Sequence, residues 1–174
     1  RSQEAAAAGA ALNERQTEIA RAVGVQRPEL IRVAGVDSLP LPEEAALRKQ
    51  IESDKIEMLG FVKDDAALRA LYIGAKAFIM ANDEDFGLVT AEAQACGTPA
   101  IAYSAGGSIE IIDPHTTGML FHDQTVESLS EAIEACERVR FDRKVISERA
   151  KRFSVDAFEK GIRDAVNALT ELGH

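Results

Sequence analysis

The chain has 174 residues, 46% of them hydrophobic and 28% charged, which is enough for one domain with a substantial core. Its formal charge of −9 argues against a nucleic-acid partner, which takes a basic surface, and against simple electrostatic docking on anionic lipid. Trp is absent and aromatics are only 5%, so the core is expected to be aliphatic.

In chain order, Ser2 to Val23 is rich in Ala, with Leu12, Ile19 and Val23 at helix-like intervals, and predicts a helix ended by Gly24 and Pro28. Leu30 to Ala34 reads as a strand stopped by Gly35, and Asp37–Pro42 as a loop. Pro42 opens a second helix, where a proline fits the first turn. Ile56 to Leu59 is a short strand, followed by Gly60-Phe61-Val62. Asp64 or Asp65 caps a helix to about Ile73.

Ala77–Met80 is an apolar strand, and Gly87–Cys96 a helix ended by Gly97 and Pro99. Ala100–Tyr103 is a strand, Gly106-Gly107 a turn, and Gly118–Phe121 a last strand. Thr125 caps a helix to about Val139. Helices follow near Arg143–Arg152 and Val155–Leu172, the second capped by Ser154.

About five short apolar strands alternating with helices predict an α/β class: a three-layer α/β/α Rossmann-like domain with a parallel sheet. Ligands in such folds sit beyond the carboxyl ends of the strands. No GxGxxG follows the first strand, so a dinucleotide oxidoreductase fits poorly. Cys96 and Cys136 form no CxxC pair and have no histidine at zinc-ligand spacing. They read as free thiols of a reducing cytosol, with no metal expected.

No apolar run approaches membrane-spanning length and no signal peptide opens the chain, so no membrane span is expected. The chain opens on Arg1 rather than Met, which reads as a fragment or a processed form.

The informative stretch runs from Ala81 to Pro99 and reads ANDEDFGLVTAEAQACGTP. It follows a predicted strand and opens a helix, whose free N–H groups and dipole favour a phosphate. Gly87 lets a backbone approach closely. Glu84 precedes the helix and Glu92 lies within it. Eight helical positions span ~12 Å, far wider than the ~5 Å carboxylate pair of a retaining glycosidase. A diphosphate bridging two sugar rings suits the wide spacing, with each carboxylate taking hydroxyls through charge-assisted hydrogen bonds. The plainer alternative is that Asp83, Glu84 and Asp85 only complement a helix N-terminus and that Glu92 is solvated.

Glu84-Asp85-Phe86-Gly87-Leu88-Val89 followed by Glu92-Ala93-Gln94-Ala95-Cys96-Gly97-Thr98-Pro99 resembles the Glu-x7-Glu signature of the GT-B glycosyltransferases of family 4. Ile56 to Val62 with Leu68, Leu71 and Tyr72 looks like the strand and helix before that motif. Gly106-Gly107-Ser108-Ile109-Glu110 and Thr117 to Phe121 look like the segments after it. The wording is closest to bacterial mannosyltransferase-like members, and the likeness is specific from about Leu30 to Phe158.

The resemblance implies the donor-binding, C-terminal half of a GT-B fold, a single domain over residues 1–174. It implies a retaining, metal-independent transfer of a mannose- or glucose-type hexose from GDP-mannose or a UDP-hexose to a glycan or lipid-linked acceptor. No resident cofactor is implied. Glu84, Asp85, Phe86 and Gly87 would bind the donor sugar, and Gly87, Leu88 and Val89 the diphosphate. Glu92 would hold the ribose, and Val62 and Lys63 would contact the base. No residue is assigned a catalytic role. A cytoplasmic protein is implied, with a peripheral seat at the inner membrane face as an option for the full-length form.

Two departures stand out. The family's diphosphate-neutralising Arg and Lys belong to a segment that Arg15 and Arg21 do not reproduce, and the N-terminal acceptor domain with its histidine is absent. Weak donor binding and negligible transfer by this chain alone are therefore expected. A non-catalytic nucleotide- or phosphate-binding module on the same fold is the alternative. Gly106-Gly107 is either a close approach to the donor phosphate or a plain turn. His115 and His122 read as surface histidines, and Glu110 as a cap or brace for its loop.

Overall fold

The computed structural model describes residues 31–35 and 56–171. The helices expected over Ser2–Val23 and from Pro42, the Asp37–Pro42 loop, Arg15, Arg21 and His174 lie outside them.

Strand β1 (Ile31–Gly35) pairs in parallel with β2 (Ile56–Phe61), with a register shift between Val33 and Ala34. Helix α1 (Asp65–Gly74) is capped by Asp64, whose carboxylate accepts from the Ala67 N–H at 2.9 Å. Next come β3 (Phe78–Met80), α2 (Leu88–Ala95), β4 (Ala100–Tyr103), the single turn α3 (Ser108–Ile111) and β5 (Gly118–Phe121). Strands β3, β4 and β5 form a parallel sheet in that order, in register from Phe78↔Ala100 and Ala100↔Gly118.

Then follow α4 (Val126–Arg138), α5 (Arg143–Ala150), a 3-10 turn at Lys151–Phe153 and α6 (Val155–Glu171). Ser154 caps α6 by accepting from the Ala157 N–H at 3.2 Å. The sequence reading missed α3 and the 3-10 turn. Both are single turns, too short to show a hydrophobic period.

Both faces of the sheet are covered, as the alternation along β4 shows. Ile101 packs with Met119 and Phe121 against Leu129, Ala132, Ile133 and Cys136 of α4. Ala100 and Ala102 point the other way, onto Ile112 with Phe78, Met80 and Leu120. The α4 residues stand at i, i+3, i+4 and i+7, the spacing of one helical face. Burial of Leu129 and Ile133 contributes about 1.5–3 kcal/mol each. Thr125 starts α4 by accepting from the Ser128 N–H at 3.2 Å.

The result is a three-layer α/β/α Rossmann-like domain with parallel strands, and its core is aliphatic. Among the described residues Cys96 and Cys136 take part in no disulfide. Among the described residues no helix is long and apolar enough to cross a membrane.

Candidate functional site

The loop between β3 and α2 carries the acidic residues. Glu84 is half-buried, while Asp83, Asp85 and Phe86 are exposed. Gly87 then takes φ 66° and ψ 30°, a left-handed conformation that turns the chain into α2 and that glycine adopts without the cost a Cβ imposes. Among the described residues no side chain caps this N-terminus. Its first-turn N–H groups are therefore open to an outside acceptor, and the helix dipole adds ~0.3–1 kcal/mol in favour of an anion there. Among the described residues the Glu84 carboxylate meets no hydrogen-bond or ion-pair partner.

Helix α2 is held from below. Thr90, Ala91, Ala93 and Gln94 are buried. The Gln94 amide donates to Thr117 Oγ1 at 3.1 Å and to the Thr117 carbonyl at 3.3 Å, and Thr117 Oγ1 accepts from the Asp113 N–H at 2.9 Å. Beyond the helix, the Thr98 hydroxyl donates to the Tyr72 carbonyl and accepts from the Arg143 guanidinium at 2.9 Å. Arg143 also donates to the Ile73 carbonyl at 2.8 Å, completing the end of α1 where its orphan carbonyls gather. With one face anchored, Leu88 and Glu92 share the opposite, exposed face at i and i+4. Glu92 stands about 6 Å along the axis from Leu88.

Tyr72 on α1 is a site neighbour that the sequence reading passed over. It is only 8% exposed, its ring meets Phe78 edge-on at 5.8 Å, and its phenol hydrogen bonds with Glu92. Burial, the Glu92 carboxylate and Cys96 together push its pKa from 10.0 up to about 12. The phenol thus stays protonated as a donor to Glu92. The signal available was its place one turn before the end of an amphipathic helix, which does not reveal that the helix lies against α2.

Val62 and Lys63 follow β2, beyond the carboxyl end of that strand, with Lys63 exposed. Among the described residues no hydrogen bond or ion pair joins them to the segment from Glu84 to Glu92. Gly106-Gly107 is a turn, and it packs on the backbone of the acidic loop. Glu110 braces its loop through its main chain, since its carbonyl accepts from Arg152 at 2.7 Å. His115 is an exposed turn residue at φ 63°, and His122 is exposed after β5. Among the described residues no group of three His, Cys, Asp or Glu side chains is placed to hold a metal ion.

A parallel α/β domain with a glycine-led helix N-terminus and two flanking glutamates at the ligand edge of its sheet defines a class, one half of a GT-B glycosyltransferase fold. The chain belongs to the glycosyl transferases group 1 family, whose model matches residues 29–153.

A D-inositol 3-phosphate glycosyltransferase of Saccharomonospora viridis is 36% identical over 99 residues, covering 52% of this chain and 23% of that protein. Sucrose-phosphate synthase from Thermosynechococcus elongatus superposes with a TM-score of 0.72 at 26% identity, over 91% of this chain and 42% of that one. An Anabaena protein, HepE, solved in complex with UDP and glucose, shares the fold at a TM-score of 0.65 and 23% identity, over 86% of this chain and 43% of its own. The chain thus spans less than half the length of each of these proteins.

Proposed function

We propose that this chain is the donor-binding domain of a retaining, metal-independent hexosyltransferase of the mannosyltransferase-like branch of family 4, working with a separate acceptor domain. The observation that carries the reading is the N-terminus of α2, led by Gly87, uncapped among the described residues and flanked by Glu84, which has no side-chain partner among them, and the exposed Glu92. A nucleotide-diphosphate sugar has anionic phosphates between two polyhydroxyl rings, which is the complement of that arrangement.

In this reading Glu84, with Asp85, Phe86 and Gly87, takes the hydroxyls of the transferred hexose. The N–H groups of Gly87, Leu88 and Val89 meet the diphosphate. Glu92, oriented by Tyr72, accepts from the ribose hydroxyls. Val62 and Lys63 border the base. The HepE neighbour, solved with UDP and glucose, supports a nucleotide-sugar donor. Retention, metal independence, the hexose class and a glycan or lipid-linked acceptor follow the family resemblance.

Calorimetry of the chain with GDP-mannose, UDP-glucose and UDP-N-acetylglucosamine tests the reading. One donor is expected to bind weakly, and Glu92→Ala to weaken it by about tenfold or more, the worth of a hydrogen bond to a charged group. No binding of any donor, or equal binding by the variant, refutes the site. Donor binding unchanged by a chelator supports metal independence.

A further inference from the structure

The acidic loop lies against the turn between β4 and α3. The Gly107 N–H donates to the Glu84 carbonyl at 2.8 Å. A Cβ at Gly107 would stand 2.5 Å from both the carbonyl carbon and the oxygen of Phe86, and 3.0 Å from the Asp85 oxygen. At Gly106 a Cβ would run into the Glu84 carbonyl oxygen and lie 2.8 Å from Asp83 Oδ1. On the far side, a Cβ at Gly87 would lie 2.8 Å from Ile111 Cδ1 of α3. Backbone thus meets backbone along three successive loop residues, at separations that no side chain permits.

We propose that the Gly106-Gly107 turn is a positioning template for the sugar end of the donor site. It fixes the Glu84–Phe86 main chain, and through it the direction in which the Glu84 carboxylate leaves the loop. The inference rests on the donor-site reading above and adds a specificity element to it. Glu92 is set by a different anchor, the helix face carrying Gln94 and the contact with Tyr72. The two ends of the donor are therefore separable: the turn governs affinity for the sugar, and α2 governs affinity for the nucleotide.

Gly107→Ala is a clean probe of this division. Gly107 has φ −64° and ψ −19°, a conformation alanine adopts freely, so the added methyl acts only by pressing on Phe86 and Asp85. Gly161→Ala is the control, since nothing lies within 4 Å of a Cβ there.

The experiment is calorimetry of the whole chain with UDP, UDP-glucose, GDP and GDP-mannose, paired with amide hydrogen exchange over residues 84–86. In Gly107→Ala the affinity for the nucleotide diphosphate is expected to stay within about twofold. The extra affinity conferred by the sugar is expected to fall by about tenfold or more, as expected for a displaced positioning group. Exchange at residues 84–86 rises, while Gly161→Ala changes neither readout. An unchanged sugar increment, or an equal loss for nucleotide and nucleotide sugar, overturns the proposal. If the unsubstituted chain binds none of the four, the donor-site reading fails instead. The turn's hold on the loop is then decided by exchange alone, unchanged protection at residues 84–86 overturning it.

Discussion

Tyr72→Phe removes one buried hydroxyl, keeps the ring against Phe78, and leaves a signature that depends on pH. The phenol's pKa is raised from 10.0 to about 12, first by burial and then by the Glu92 carboxylate and Cys96. Below pH 10 the proton is present in both the folded and the unfolded chain, and the full stabilisation is in place. Between pH 10 and 12 the unfolded chain releases it while the folded chain keeps it, so stability falls as pH rises through that window. Linkage puts the loss at about 1.4 kcal/mol near pH 11 and about 2.7 kcal/mol above pH 12, as orders of magnitude. Tyr72→Phe lacks this component. At neutral pH it loses one hydrogen bond, worth about 0.5–1.5 kcal/mol, with the low end favoured because the exposed Glu92 carboxylate regains water. Urea unfolding of both proteins near pH 8, 10 and 11 measures the difference. Equal losses of stability between pH 8 and 11 in the two proteins would refute the raised pKa of the buried phenol.

Two further predictions concern the backbone. Gly161 lies inside α6 with open space around a Cβ, so Gly161→Ala is expected to raise stability by about 0.5–1 kcal/mol, read as a higher denaturation midpoint at constant m. His115 holds φ 63°, so His115→Gly is expected to relieve about 1 kcal/mol of left-handed strain, partly offset by the entropy of the unfolded glycine; a thermal midpoint lower than that of the parent chain would count against it.

The elements visible in the sequence were those whose signals are local. Thr125 and Val139 bracket α4 because the cap chemistry and the spacing of Leu129, Ile133 and Cys136 lie within one stretch of chain. Strands β4 and β5 were bounded by glycine and proline on one side and by polar turns on the other. The strand before α1 was expected to end at Leu59 but runs to Phe61. Its continuation comes from pairing with β1 across a register shift, which local composition does not show. The helix expected near Arg143–Arg152 gives way at Ala150 to a 3-10 turn, where Arg152 reaches back to the Glu110 and Ile111 carbonyls.

The site divides along the same line. Glu84, Gly87 and Glu92 stood out because they share one strand-loop-helix, so their spacing could be read from chain order. Tyr72 precedes Glu92 by twenty positions and Gly107 follows Glu84 by twenty-three, and only the packing of α1 on α2 and of the β4–α3 turn on the acidic loop brings them together. Gly106-Gly107 did register as a feature with two possible meanings, a phosphate contact or a turn. The geometry supports a third, because the space a side chain would fill at each glycine is already taken by the backbone of the Glu84 loop. A glycine pair beside a ligand loop can thus be required for the loop's shape rather than for direct contact with the ligand.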